Sequence, residues 1–150
     1  IREWQEDNGD GNRVLPGDGF LKNPAPGYPV TSQYGWRTHP ISGTRRMHTG
    51  TDFGVPCGDP VYASADGVVV SSGVAGGYGN RVVLSHGKSN GASIATTYNH
   101  NTRNVVRAGQ TVKEGDTVAM AGTTGSSTGC HLHFEVMVDG SYVDPMDWIS

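Results

Sequence analysis

His131-Leu132-His133-Phe134-Glu135-Val136 alternates polar and apolar residues, the period of a strand with one face buried. Such a strand turns His131, His133 and Glu135 to one side and buries Leu132, Phe134 and Val136 on the other. The same grammar repeats outward from it. Val61 to Ala65, Gly67 to Ser72, Arg81 to His86, Ser93 to Tyr98 and Thr117 to Ala121 are short strand-like runs separated by glycine turns. Long helical periodicity is missing. The 23 glycines and 8 prolines are spread among Val-rich runs and form no low-complexity tract, which favours strands and turns over disorder. The expected fold is all-β: an antiparallel sandwich or open barrel with a groove, long loops and little helix. Gly58-Asp59-Pro60-Val61 returns as Gly115-Asp116-Thr117-Val118, each opening an apolar strand. That echo reads either as duplicated hairpins or as a common turn used twice.

One hundred and fifty residues suit a single domain with a real core. Residues 1–29 have little strand pattern and read as an irregular arm, which Trp4, Leu15, Phe20 and Leu21 would pin onto a domain spanning 30–150. Asp7-Asn8-Gly9-Asp10-Gly11-Asn12 resembles half of a calcium loop but lacks the closing Glu. No apolar run approaches the length of a membrane span. The net charge of −3, without clustered Lys and Arg, argues against nucleic acid and against a strong pull toward anionic polymers. The chain starts at Ile1 and has no basic-then-apolar leader, which reads as a piece of a longer protein with further domains.

Chemistry concentrates in His48-Thr49-Gly50-Thr51-Asp52, Tyr98-Asn99-His100 and His131-Leu132-His133. His48 and Asp52 are four apart, a spacing that shares a face in a helix or a strand. Gly50 and the β-branched Thr49 and Thr51 disfavour helix, so the segment reads as extended and not as a helical His-Glu-x-x-His site. A structural zinc takes four protein ligands, whereas a catalytic zinc takes three and keeps one position for water. Five donors therefore suggest three ligands and two groups for proton traffic. The competing view is a zinc that only staples loops, which leaves two histidines without a task. His39 and His86 read as ordinary surface or core residues.

Tyr34-Gly35-Trp36-Arg37-Thr38-His39-Pro40, the His48 to Asp52 motif, Gly58 to Ala63, Tyr98-Asn99-His100 and Gly129 to Glu135 together resemble the lysostaphin-type (LytM-type) zinc metallopeptidase family. The resemblance covers roughly residues 30 to 148. It implies one Zn2+ held by His48, Asp52 and His133, with His100 and His131 as catalytic histidines. It also implies a peptidoglycan peptide as substrate and action outside the cytoplasm, at the cell wall, in the periplasm or on a phage. A divalent ion brings the pKa of water down to about 7. His131 would then be general base and acid, and His100 would steady the water or the oxyanion. Glu135 lies on the correct strand face to support a ligand. Arg37, Tyr78 and Tyr98 are the candidate substrate-binding residues, in a groove walled by loops. Two other classes compete: a non-catalytic peptidoglycan-binding or amidase-activating module on the same fold, and a carrier-like β domain. The segment Val105 to Gly122 resembles biotin- and lipoyl-carrier hairpins, but Lys113 sits in no such motif and the carrier explains no histidine. Degenerate modules of the family lack site residues, whereas all five are present here.

Cys57 follows Asp52 by five residues and Cys130 directly precedes His131. Convergence of both motifs on one zinc would bring the sulfurs near each other, so a disulfide is expected, as suits an oxidising compartment. Two buried free thiols, or a thiolate on the zinc, are the alternatives.

Overall fold

The computed structural model describes residues 21–38, 41–89 and 91–149. The arm residues Trp4, Leu15 and Phe20, the Asp7 to Asn12 cluster and His39 lie outside them. In chain order the strands are β1 (Val30–Ser32), β2 (Gly35–Thr38), β3 (Arg45–His48), β4 (Thr51–Phe53), β5 (Pro60–Tyr62), β6 (Gly67–Val74), β7 (Asn80–Ser89), β8 (Ala92–Asn101), β9 (Arg103–Asn104), β10 (Thr111–Val112), β11 (Thr117–Met120), β12 (Leu132–Val138) and β13 (Ser141–Val143). The helical elements among the described residues are two single 3-10 turns, Gly76–Tyr78 and Pro145–Asp147. The all-β antiparallel architecture expected from the sequence is what forms. One large sheet runs β1-β4-β12-β8-β7-β6-β10, with β13 added beside β12; a small sheet runs β5-β11-β9, and β2-β3 form a separate ribbon.

Two-residue alternation makes the central strands two-faced. On one side Phe53, Leu132, Phe134, Val136, Ile94, Tyr98, Val82 and Leu84 join Val61, Val118 and Ala119 of the small sheet in one hydrophobic core, all of them at 2% exposure or less. On the other side Asp52, His133 and Asn99 stand in a row across β4, β12 and β8, with Glu135 and Thr97 in the next row. The apolar face holds the sheet and the polar face is left for chemistry.

Tyr98 corrects one expectation. It is fully buried among the core residues, 5.4 Å from the Phe134 ring, and its hydroxyl accepts from the Ser64 N–H at 3.0 Å and shares a hydrogen bond with Thr96 Oγ1 at 2.8 Å. Its face of β8 is the core face, so it does not reach the groove. β7 and β8 run longer than their apolar runs, because each is paired on both sides and polar residues such as Asn99 and Asn101 still complete the ladder.

The repeated motif proves to be a pair of facing hairpin arms. β5 and β11 pair antiparallel, Gly58 and Gly115 both take positive φ (93° and 89°), and each turn bonds the far end of the other arm. Gly58 N–H donates to Ala121 O at 2.9 Å, and Gly115 N–H donates to Ala63 O at 2.9 Å. Leu21, expected to pin the arm, is fully buried and bridges to Ile149; Ala25 is buried beside it. Lys113 donates its backbone N–H to Asp116 Oδ2 within an exposed turn.

His86 is a core histidine, as read. Its two ring nitrogens meet Asp66 O and Thr96 Oγ1, each at 2.8 Å. Burial lowers its pKa from the ordinary 6.5 to about 4. The unfolded chain therefore takes up the proton first as pH falls, and stability present above about pH 6.5 drains away toward pH 4, by about 3 kcal/mol in total. Thermal melts of the metal-free protein between pH 7 and pH 4.5 should show this slope, and His86→Gln should flatten it; an equal slope in the variant would remove His86 as its source.

Candidate metal centre and groove

The antiparallel register sets Asp52 directly opposite His133, and the end of β3 brings His48 beside them. His133 Nδ1 lies 2.8 Å and His48 Nε2 lies 3.3 Å from Asp52 Oδ1. The three donor atoms fall within 4.8 Å of one another. Donors around one tetrahedral zinc, at roughly 2.0–2.1 Å each, stand roughly 3.3 Å apart, so this set fits. Gly50 lets it happen. A Cβ there would lie 2.4 Å from Phe134 O and 2.9 Å from Glu135 Cγ, so any side chain would push the His48 to Asp52 segment off β12.

Each ligand-type imidazole has its other nitrogen fixed. His48 Nδ1–H donates to Gln33 O at 2.8 Å, and His133 Nε2–H donates to Glu135 Oε2 at 3.0 Å. These partners choose the tautomer that aims His48 Nε2 and His133 Nδ1 inward. Burial alone would raise the Asp52 carboxyl, but hydrogen bonds from His133 and His48 outweigh it and hold Asp52 well below the carboxylate range. Burial likewise opposes charge on His133, yet the hydrogen bonds to Asp52 and Glu135 push it up to about 9. In the metal-free state the pocket thus demands a positive charge, which a proton on His133 supplies.

Glu135 is fully buried and heavily partnered. Thr49 Oγ1, Thr97 Oγ1 and Arg81 Nη1 donate to it at 2.7, 2.8 and 3.3 Å. Arg81 also donates to Asn99 Oδ1 at 3.0 Å and lies 4.0 Å from the centre of the Tyr78 ring. Tyr78 in turn stacks on His133, 6.2 Å between centroids. Glu135 was legible from strand alternation; Gln33, Thr49, Thr97, Arg81 and Asn99 were not singled out, although Thr97 and Asn99 alternate onto the same face.

His100 and His131 stand together, 4.9 Å between ring centroids. His100 Nδ1–H donates to Thr124 O at 2.7 Å and His131 Nδ1–H to Gly129 O at 2.8 Å, so both rings present Nε2. His131 Nε2 is 3.8 Å from Asp52 Oδ1. His100 holds a left-handed backbone, φ 66°, a strained state for a residue with a side chain. Burial lowers its pKa, which keeps the ring neutral.

All five residues open into one groove of about 620 Å³, which Arg37, Arg46, Tyr78 and residues 126–128 also line. Burial and the hydrogen bond to Tyr142 push the Tyr78 phenol up to about 12, so it stays neutral. The expected disulfide is present. Cys57 and Cys130 are bridged with Cα atoms 5.2 Å apart, tying the chain after Asp52 to the residue before His131.

The profile of peptidase family M23 matches residues 46–145. The DD-carboxypeptidase/endopeptidase Mpg of Neisseria meningitidis serogroup B is 41% identical over 137 residues, covering 91% of this chain and 31% of the relative. The chain therefore spans under a third of that protein's length. A zinc-containing peptidase from Vibrio cholerae superposes with a TM-score of 0.77 at 37% identity, over 90% of this chain and 40% of that one. The catalytic domain of lysostaphin from Staphylococcus simulans gives 0.68 at 35% identity, over 79% and 90%.

The bridge closes a long loop, with a sequence separation of 73, for which chain entropy gives about 4 kcal/mol. A Cys57→Ser/Cys130→Ser variant should melt roughly 10 °C lower. Unchanged melting, or free thiols titrated in unfolded, non-reduced protein, would contradict the bridge.

Proposed function

The chain belongs to peptidase family M23, and on that premise we propose that it is a zinc endopeptidase that cuts peptide bonds between D-residues in bacterial peptidoglycan. The observation that carries the reading is the completeness of one constellation: three inward-facing donors and two pinned histidines sharing a groove. The name of the Neisseria relative supports the bond class. A non-catalytic module would have no use for five such residues held in working tautomers.

His48, Asp52 and His133 are proposed to hold Zn2+. When bound there, zinc supplies Lewis-acid polarisation of the scissile carbonyl and acidifies the attacking water. His131 Nε2, its ring oriented by Gly129 O, accepts the proton of that water and returns it to the leaving amine. His100 is neutral with Nδ1–H committed to Thr124 O. Its Nε2 is therefore an acceptor that orients the water. Glu135 and Gln33 keep the ligand rings in place. Tyr78 and Arg37, both lining the groove, are proposed to contact the peptide. Peptidoglycan lies outside the cytoplasm, and the disulfide suits the same oxidising compartment, so the site of action is proposed to be the periplasm or cell wall. No helix among the described residues is long and apolar enough to cross a membrane.

Zinc-loaded protein should release new amino termini from purified peptidoglycan, read by mass spectrometry, and chelation should stop it. His48→Ala, Asp52→Ala and His133→Ala should lose both zinc and turnover. His131→Ala and His100→Ala should keep zinc and lose about 100- to 10,000-fold in rate. Equal zinc loss in all five would overturn the division of roles. Glu135→Gln should weaken zinc affinity about 10- to 100-fold with the sheet intact; unaltered affinity would mean that Glu135 does not orient His133.

A further inference from the structure

One wall of the groove is the β2–β3 ribbon. Its register opposes Gly35 to His48 and Arg37 to Arg46, so Arg37, Arg46 and His48 share one face, and all three line the groove. Arg45 belongs to the other face, where its guanidinium lies 4.8 Å over the Trp36 ring. Arg37 Nη2 donates to Ser32 Oγ and reaches Gln33 O at 3.5 Å, the same carbonyl that holds His48 Nδ1. Its charge is therefore fixed one carbonyl away from a metal-donor histidine.

Two arginines directly opposite each other on a two-stranded ribbon repel, which disfavours the pairing. Among the described residues neither has an acidic partner: every ion pair there involves Asp52 or Glu135, with a histidine or Arg81. Among the described residues they are also the only Lys or Arg side chains lining the groove, whose Gly77, Ser126, Ser127 and Thr128 are small and neutral. An anion between the two guanidinium groups would offset the repulsion, and their planar forks match a carboxylate. Away from the proposed metal position, this pair is where an anionic group on the substrate would meet positive charge in the groove.

We propose that Arg37 and Arg46 form a carboxylate clamp that selects the substrate. The inference rests on the DD-peptidase reading above. In a bond between two D-centres, the second gives its amine to the scissile bond, and its α-carboxylate can remain free one carbon from the leaving nitrogen. That carboxylate is the group the clamp takes. A cross-bridge continued through amide bonds on both sides offers neutral carbonyls at that position and is disfavoured.

The test uses zinc-loaded protein and two synthetic cross-linked peptides, identical except that the leaving D-residue carries a free α-carboxylate in one and a carboxamide in the other. The wild-type protein should favour the free acid in kcat/KM by about 10- to 100-fold, as a charge-assisted contact gives. Arg37→Gln/Arg46→Gln should lose most of that preference by slowing far more on the acid than on the amide, with zinc still bound. Arg45→Gln, on the opposite face, should keep it. Equal kcat/KM on acid and amide by wild-type protein would refute the clamp and leave the peptidase reading standing. A double variant that keeps the full preference would refute the assignment to these two residues. Failure to cut either peptide would overturn the peptidase reading, and the clamp with it.

Discussion

Asp52 and His133 face each other across β4 and β12, and everything else in the site follows from that pairing. Strand side chains alternate, so a one-residue slip of β4 along β12 would turn Asp52 into the core, away from His133, and bring Phe53 out to water. The apolar residues on the reverse face, buried to 1% exposure or less, forbid the slip. The register that packs the core is thus the register that assembles the donors. Gly50 completes the arrangement by letting the β3–β4 connection lie against β12.

The support beneath the donors is a buried ionic network, and such networks are stable only when every charge is met. Glu135 receives hydrogen bonds from Thr49, Thr97, Arg81 and His133. Arg81 shares itself between Glu135, Asn99 and the face of Tyr78. Because Tyr78 stacks on His133, the network grips that ring at its edge and over its face. His100 and His131 are fixed differently, through backbone carbonyls of the loop that the disulfide tethers. A carbonyl orients a ring without adding a full negative charge.

The strongest signal in the sequence was the alternation of His131 to Val136, which revealed both the strand and the face of Glu135. It also carried the donor set, because side chains rich in nitrogen and oxygen name their own chemistry. Carbonyls do not. Gln33, Thr124 and Gly129 hold histidines through backbone oxygen, and nothing about their side chains announces it. Tyr98 failed for a related reason. Two residues from His100 on a regular strand, it would share that side chain's face, but the left-handed backbone at His100 turns the imidazole out of the alternation. Tyr98 obeys the rule and goes into the core; His100 breaks it and reaches the groove. The repeat of Gly58 to Val61 in Gly115 to Val118 was visible, whereas the reciprocal bonding of its two arms required the fold.

The β2–β3 ribbon has a consequence for how such a protein diversifies. Among the described residues it pairs only with itself as a sheet, and its residues up to Arg46 are half-exposed or exposed, so its composition is nearly decoupled from the core that sets stability. It still delivers His48 at its end. New side chains along it can reshape this wall of the groove while the donor cluster and the scaffold stay as they are. A graft of this one hairpin from another chain of the same fold is therefore an exchange that leaves the core residues untouched.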